Sequence, residues 1–132
     1  MASIELAQIL LRKAEQDEYA IEKLAGEPDA PDELIGFHAQ QATEKLLKAV
    51  LAARGIRYRK THDLVELIDL LKKSGIPYPQ DVEDLRFLTP FATDLRYVEV
   101  SALGTPKLDR DPMRARLRTT RTWAEHTIGE AQ

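Results

Sequence analysis

A chain of 132 residues is long enough for one domain whose core needs no covalent staple, and with no cysteine it excludes a disulfide, a thiolate nucleophile and a cysteine-bound zinc. A net charge of −3 argues against a protein wholly devoted to coating nucleic acid. No apolar run approaches the roughly 20 residues of a membrane span, and the amphipathic N-terminus is unlike a signal peptide, so a cytoplasmic protein with no membrane association is expected.

From Ser3 to about Ala25, Ile4, Ala7, Leu11, Ala14, Ile21 and Leu24 recur at helical spacing, with Ser3 available as N-cap. Gly26 to Pro31 reads as a loop, and Asp29 or Asp32 can cap the helix that follows. That second helix is the central one. Ile35, Ala39, Ala42, Leu46, Ala49, Val50 and Ala53 form one stripe, and Leu47 and Leu51 widen it beyond the needs of a surface helix. His38, Gln41, Lys45 and Lys48 line up beside the stripe as a polar ridge, and Gly55 ends the helix.

Ile56 to Lys60 is a short basic connector. Thr61 is the expected cap of a third helix, with Asp63 complementing its dipole, Leu64, Leu67, Ile68 and Leu71 facing inward, and Gly75 stopping it. After a turn at Pro77 and Pro79, the positions of Val82, Leu85, Leu88, Phe91, Ala92 and Leu95 predict a fourth helix to about Val98, bent at Pro90. Gly104 and Pro106 mark the next loop. Asp111 as N-cap with Pro112 at the first helical position then starts a fifth helix running to about Ile128. Its inner stripe is Met113, Leu117, Thr120, Ala124 and Ile128, with Trp123 at the margin. The expected fold is all-α: one domain over residues 1–132, an antiparallel up-and-down bundle of about five helices.

Functional candidates follow from the same projections. His38 has the chemistry to bind a phosphate or act as a base, although a histidine on a buried helix is more often a satisfied hydrogen-bonding residue; Gln41 and Lys45 stand in the same position. His62 reads as a capping or packing residue. Arg96 projects toward the apolar side of helix four, where a guanidinium must find a carboxylate, carbonyl groups or a phosphate. Five of the eleven arginines lie between Arg110 and Arg121. Of these, Arg114, Arg118 and Arg121 share one face and, with Arg57, Arg59 and Lys60, could present a basic surface to RNA or an acidic partner. Solvated arginines are the commoner explanation of such a face, and Arg121 has Glu125 one turn on. No helical metal-ligand spacing and no glycine-rich phosphate loop occurs, so neither a metal nor another cofactor is expected.

Three blocks, Phe37-His38-Ala39-Gln40-Gln41-Ala42-x-Glu44-Lys45-x-x-Lys48-Ala49, Thr61-His62-Asp63-Leu64 and Leu95-Arg96-Tyr97, resemble the HEPN family in composition, order and spacing. The resemblance covers about 100 residues. It implies a small helical bundle, usually a homodimer, named for a nucleotide-binding role and often encoded beside a minimal nucleotidyltransferase with which it forms a toxin–antitoxin pair. Other members are metal-independent ribonucleases carrying an arginine and, after four to six residues, a histidine. Arg96 matches that arginine, but Ser101, Ala102 and Leu103 stand where the histidine belongs. Arg57 and His62 have the spacing but lie in the connector, where the family does not place the motif. The resemblance therefore implies first a dimeric partner of a separate nucleotidyltransferase, with Gln41, Lys45, Tyr97, Arg114, Arg118 and Arg121 as candidates for contacting nucleotide or RNA. The alternative is an endoribonuclease using Arg96 with His38 as a non-standard second residue. A dimer also suits the broad apolar arc of helices two and four.

Overall fold

The computed structural model describes residues 2–92 and 108–132. These are helical, with no strand among them: α1 (Ile4–Ala25), α2 (Asp32–Ala53), α3 (Leu64–Lys73), a short α4 (Gln80–Asp84) that passes into a 3-10 segment (Leu85–Phe91), and α5 (Arg110–Ala131). The expected helix four beyond Ala92, with Arg96 and Tyr97, and the loop at Gly104 and Pro106 lie outside the described residues.

Helix α2 is central because its apolar arc is too wide for one neighbour. It packs against α1, α3, α5 and the 3-10 segment, and Ile35, Leu46, Leu47 and Leu51 are fully buried. Each such side chain contributes about 1.5–3 kcal/mol of transfer free energy. The α1–α2 pair is an antiparallel hairpin: the Ser3 amide at the start of α1 donates to the Ala52 carbonyl at the end of α2, 2.9 Å away.

Helix ends follow from local chemistry. Ser3 Oγ accepts from the Leu6 amide at 3.1 Å, as expected of an N-cap. Gly55 and Gly75 both have φ of 72° and stop their helices in the same way. The amide after each glycine reaches back to the carbonyl five residues earlier, Ile56 to Leu51 at 2.9 Å and Ile76 to Leu71 at 3.1 Å, which satisfies an otherwise orphaned carbonyl.

Other ends differ from expectation. Helix α2 has Pro31 as N-cap with no side-chain cap bond, so neither Asp29 nor Asp32 caps it; Asp32 lies in the first turn and binds Arg110. For α3 the cap is Asp63, whose Oδ1 accepts from the Val65 amide at 2.9 Å, while Thr61 Oγ1 accepts from the Asp63 amide. Helix α5 starts one residue after Asp109, which places Asp111 in the first turn and Pro112 third, where a missing N–H costs nothing because those amides have no partner in the helix.

The largest difference is in helix four. Instead of a bent α-helix, the α-helical hydrogen bonding ends at Asp84 and tighter 3-10 turns carry Leu85, Leu88 and Phe91 into the core. Pro90 donates no hydrogen bond and its ring crowds the carbonyl a turn earlier, so the chain tightens there rather than continuing. No helix among the described residues is long and apolar enough to cross a membrane.

Candidate functional site

The polar ridge of α2 is tied to two buried carboxylates. Asp17, on α1, occupies the apolar stripe of that helix between Ala14 and Ile21 and is only 8% exposed. A carboxylate so placed must be paired, and two residues of the ridge pair it. Its Oδ1 accepts from His38 Nδ1 at 3.0 Å and its Oδ2 from Lys45 Nζ at 2.5 Å. Because an ionised carboxylate only accepts, the bond fixes the proton on His38 Nδ1 and, in the neutral ring, leaves Nε2 as the basic nitrogen.

Glu44 is the second carboxylate, 5% exposed on α2 itself. Lys48 Nζ and His62 Nδ1 each lie 2.9 Å from its oxygens, and Gln40 Nε2 donates to it at 3.0 Å. Burial alone pushes this carboxyl up, but the hydrogen bonds from Lys48, His62 and Gln40 together outweigh it and hold the group below the usual carboxylate range. Gln40 also donates to the His62 carbonyl at 2.9 Å and accepts from Gln41 Nε2 at 2.7 Å. His62 is thus the packing residue that anchors the basic connector to α2. Nearby, Lys48 lies 5.7 Å from the centroid of Tyr58, whose hydroxyl is pushed up by burial and by the Glu44 charge.

Three of the α5 arginines form a separate face beside α1: Arg114 and Arg121 are held against that helix, whereas Arg118 reaches it only at Glu22 and stays 63% exposed. Arg121 forks onto Glu18, also donates to the Leu11 carbonyl at 3.0 Å, and lies 3.6 Å from the Glu125 that spacing alone had paired with it. Arg114 binds Glu22 and Asp111, and Arg118 lies 3.4 Å from Glu22. In the connector, Arg59 binds Glu66, while Arg57 and Lys60 are exposed.

The structure therefore brings His38 and Lys45 together on Asp17, ties Gln41 through Gln40 to the separate Glu44–His62 group, and keeps Arg114, Arg118 and Arg121 on another helix. Arg96 and Tyr97 lie outside the described residues. No cluster of histidine and carboxylate able to hold a metal occurs among those described. Sequence reasoning did not single out Asp17, Glu44 or Gln40. The signal for Asp17 was present as a charged residue three after Ala14 and four before Ile21, inside an apolar period. Gln40, Glu44 and Lys48 were equally legible as a row at successive four-residue steps.

A family model described as "HEPN domain" matches residues 7–131. No curated protein and no solved structure matches the chain. A match over nearly the whole chain, together with this all-helical architecture, places the protein in the HEPN family.

Proposed function

We propose that the protein is a HEPN-type helical homodimer that binds a separate minimal nucleotidyltransferase, a nucleotide, or both, in a toxin–antitoxin-like pair, and does no chemistry of its own. The observation that carries this reading is the pairing of the ridge: His38 and Lys45 are held by Asp17, and Lys48 by Glu44. Lysines so neutralised, and a histidine so bound, stiffen the bundle and are poorly placed to stabilise charge developing on a substrate. Ser101, Ala102 and Leu103 in place of the motif histidine support the same conclusion. Tagged protein purified from its native cells should bring down a nucleotidyltransferase and scatter light as a dimer at micromolar concentration. Recovery of a monomer with neither a nucleotidyltransferase nor bound nucleotide overturns the reading.

One observation favours a second reading, a metal-independent endoribonuclease. The Asp17–His38 bond is the arrangement that orients a histidine as a general base, and His38 remains 25% exposed. In this reading Arg96 steadies the scissile phosphate and His38 takes the proton of the attacking hydroxyl. RNA cleavage in EDTA by the wild type, abolished in both Arg96→Ala and His38→Ala, would establish it; cleavage shared by all three preparations marks contamination and rules it out.

A further inference from the structure

The broad apolar arc of α2 is covered within the chain, by α1, α3, α5 and the 3-10 segment, so a second copy must find its surface elsewhere. Helix α1 offers one. Five large apolar side chains are exposed among the described residues, and of these Leu6 and Ile9, 41% and 38% exposed, stand one turn apart on one helix. They open a stripe on the side of α1 turned from the core, where Leu6, Ile9, Lys13 and Gln16 recur at steps of three, four and three, all exposed. Leu6 also borders a depression with Ala52, Ile56 and Tyr58, so the apolar surface runs past the helix onto the connector.

The margins of this stripe carry both signs of charge in a particular order. At about 100° per residue, Glu5 and Arg12 fall on one side of Ile9, about 40° and about 60° from it, while Leu6 and Lys13 fall on the other. Seven residues separate Glu5 from Arg12, about 10.5 Å along the axis, which is too far for them to pair within one helix. Both are exposed and neither makes an ion pair among the described residues, although Glu15 stands one turn beyond Arg12.

We infer that this stripe is a homodimer interface, in which two copies of α1 pack antiparallel about a two-fold axis between Gln8 and Ile9. The proposal rests on the homodimer reading and names the surface through which the copies meet. In that arrangement Glu5 of each copy is level with Arg12 of the other on the same margin, so the ion pair forms twice. Ile9 meets its own counterpart beside the axis. On the opposite margin Leu6 packs along the stem of the second copy's Lys13, whose ammonium stays in water. Arrangement of charge selects this occupant: an anionic ligand would meet Glu5 and a cationic one Arg12 and Lys13, whereas the same helix run in the opposite direction sets each of Glu5 and Arg12 against its complement. The contact is small for an interface, so self-association should reverse on dilution.

The chain has no cysteine, so a single introduced one reports on its own copy alone. Ile9→Cys oxidised with diamide should give a disulfide-linked dimer on a denaturing gel. Gln16→Cys, exposed on the same stripe but about 22 Å from its counterpart along the axis, should stay unlinked. Sedimentation over a dilution series reads the affinity. Ile9→Glu, which sets two carboxylates against each other beside the axis, should weaken the dimer at least about tenfold, with wild-type circular dichroism and Tm because the position is exposed. Arg12→Glu should weaken it about three- to tenfold by facing Glu5 with a like charge twice, and adding Glu5→Arg should restore wild-type affinity. Equal cross-linking at the two cysteines, an Ile9→Glu variant that dimerises like wild type, or a double reversal no tighter than Arg12→Glu each overturns the proposal. A dimer that none of these changes alters leaves the homodimer reading standing with its interface elsewhere, and a wild type monomeric throughout the series overturns both. If dimerisation behaves as expected but native cells yield no nucleotidyltransferase and no bound nucleotide, the partner reading is wrong and the α1 surface stands.

Discussion

Phe91, at the end of the 3-10 segment, lies against the backbone of Gly36 in α2 so closely that a Cβ added to the glycine would sit 2.6 Å from the ring Cγ. The ring is 3% exposed and walled in by core, so it has nowhere to retreat. Gly36→Ala should therefore destabilise the protein by about 1–3 kcal/mol through overpacking, against the usual gain of about 1 kcal/mol for replacing glycine within a helix. Thermal unfolding of Gly36→Ala, Phe91→Leu and the double variant checks it. The pair should be strongly non-additive, with Phe91→Leu relieving part of the alanine's effect.

Asp17 is expected to matter for the fold more than its single charge suggests. Replacing it with alanine leaves His38 Nδ1 and Lys45 Nζ without their acceptor at once, yet the two side chains keep 25% and 22% of their surface in water. Partial access limits the penalty to about 1–3 kcal/mol rather than that of a fully buried unpaired charge. Urea denaturation of Asp17→Ala alone and combined with Lys45→Met reads it directly. The second substitution should cost less in the Asp17→Ala background than in wild type.

Acid should loosen the bundle from two places. Glu44 is held below its ordinary value of 4.5 by Lys48, His62 and Gln40 despite burial, and Glu83 is lowered to about 2, chiefly by the hydrogen bond from Arg86 and next by that from Tyr78. In both cases the folded carboxyl is a stronger acid than the unfolded one. Its contribution to stability is complete above the unfolded value and is lost as pH falls through the folded one. Tm should thus decline from about pH 4.5 downward, and Glu44→Gln, starting from a lower Tm near neutrality, should decline less steeply over that range.

Arg110 holds the start of α5 to the hairpin of α1 and α2. Its guanidinium donates to Asp32 Oδ1 at 2.9 Å and to the carbonyls of Ala25, Glu27 and Ala30 at 3.3, 2.9 and 2.6 Å. A lysine keeps the charge but cannot reach four acceptors spread over a loop and a helix start. Arg110→Lys should cost about 1–2 kcal/mol, and amide exchange should quicken in the 26–31 loop before it does elsewhere.

What could be read beforehand divides along physical lines. Helices α1, α2 and α3 announced themselves because apolar period and terminal chemistry agree: Ser3 caps, and the glycines at 55 and 75 supply the left-handed residue. In the fourth element the two signals conflict, since the period of Val82, Leu85 and Leu88 continues toward a proline that cannot join an α-helical ladder; the backbone resolves it by changing helix type at Asp84. The ridge of α2 was visible as a row of polar residues, and Glu44 stands one turn from Lys48 on the same helix, but Asp17, which holds His38 and Lys45, was hidden because it approaches from another helix. The α5 arginines show the same limit. Spacing alone pairs Arg121 with Glu125, whereas tertiary packing gives it Glu18, more than a hundred positions away.

Gln40 is completely buried, and its amide is fully committed: both hydrogens are donated, to Glu44 and to the His62 carbonyl, while its oxygen receives from Gln41. Deamidation there would set a second carboxylate about 3 Å from Glu44 and opposite a carbonyl, in a place water does not enter. One of the two acids would have to keep a proton at neutral pH, and the connector would lose the hydrogen bond through which Gln40 holds it. The row of glutamines on α2 is thus tied to its nitrogen: a glutamate of almost identical shape would reverse the polarity of the link that holds His62 in place.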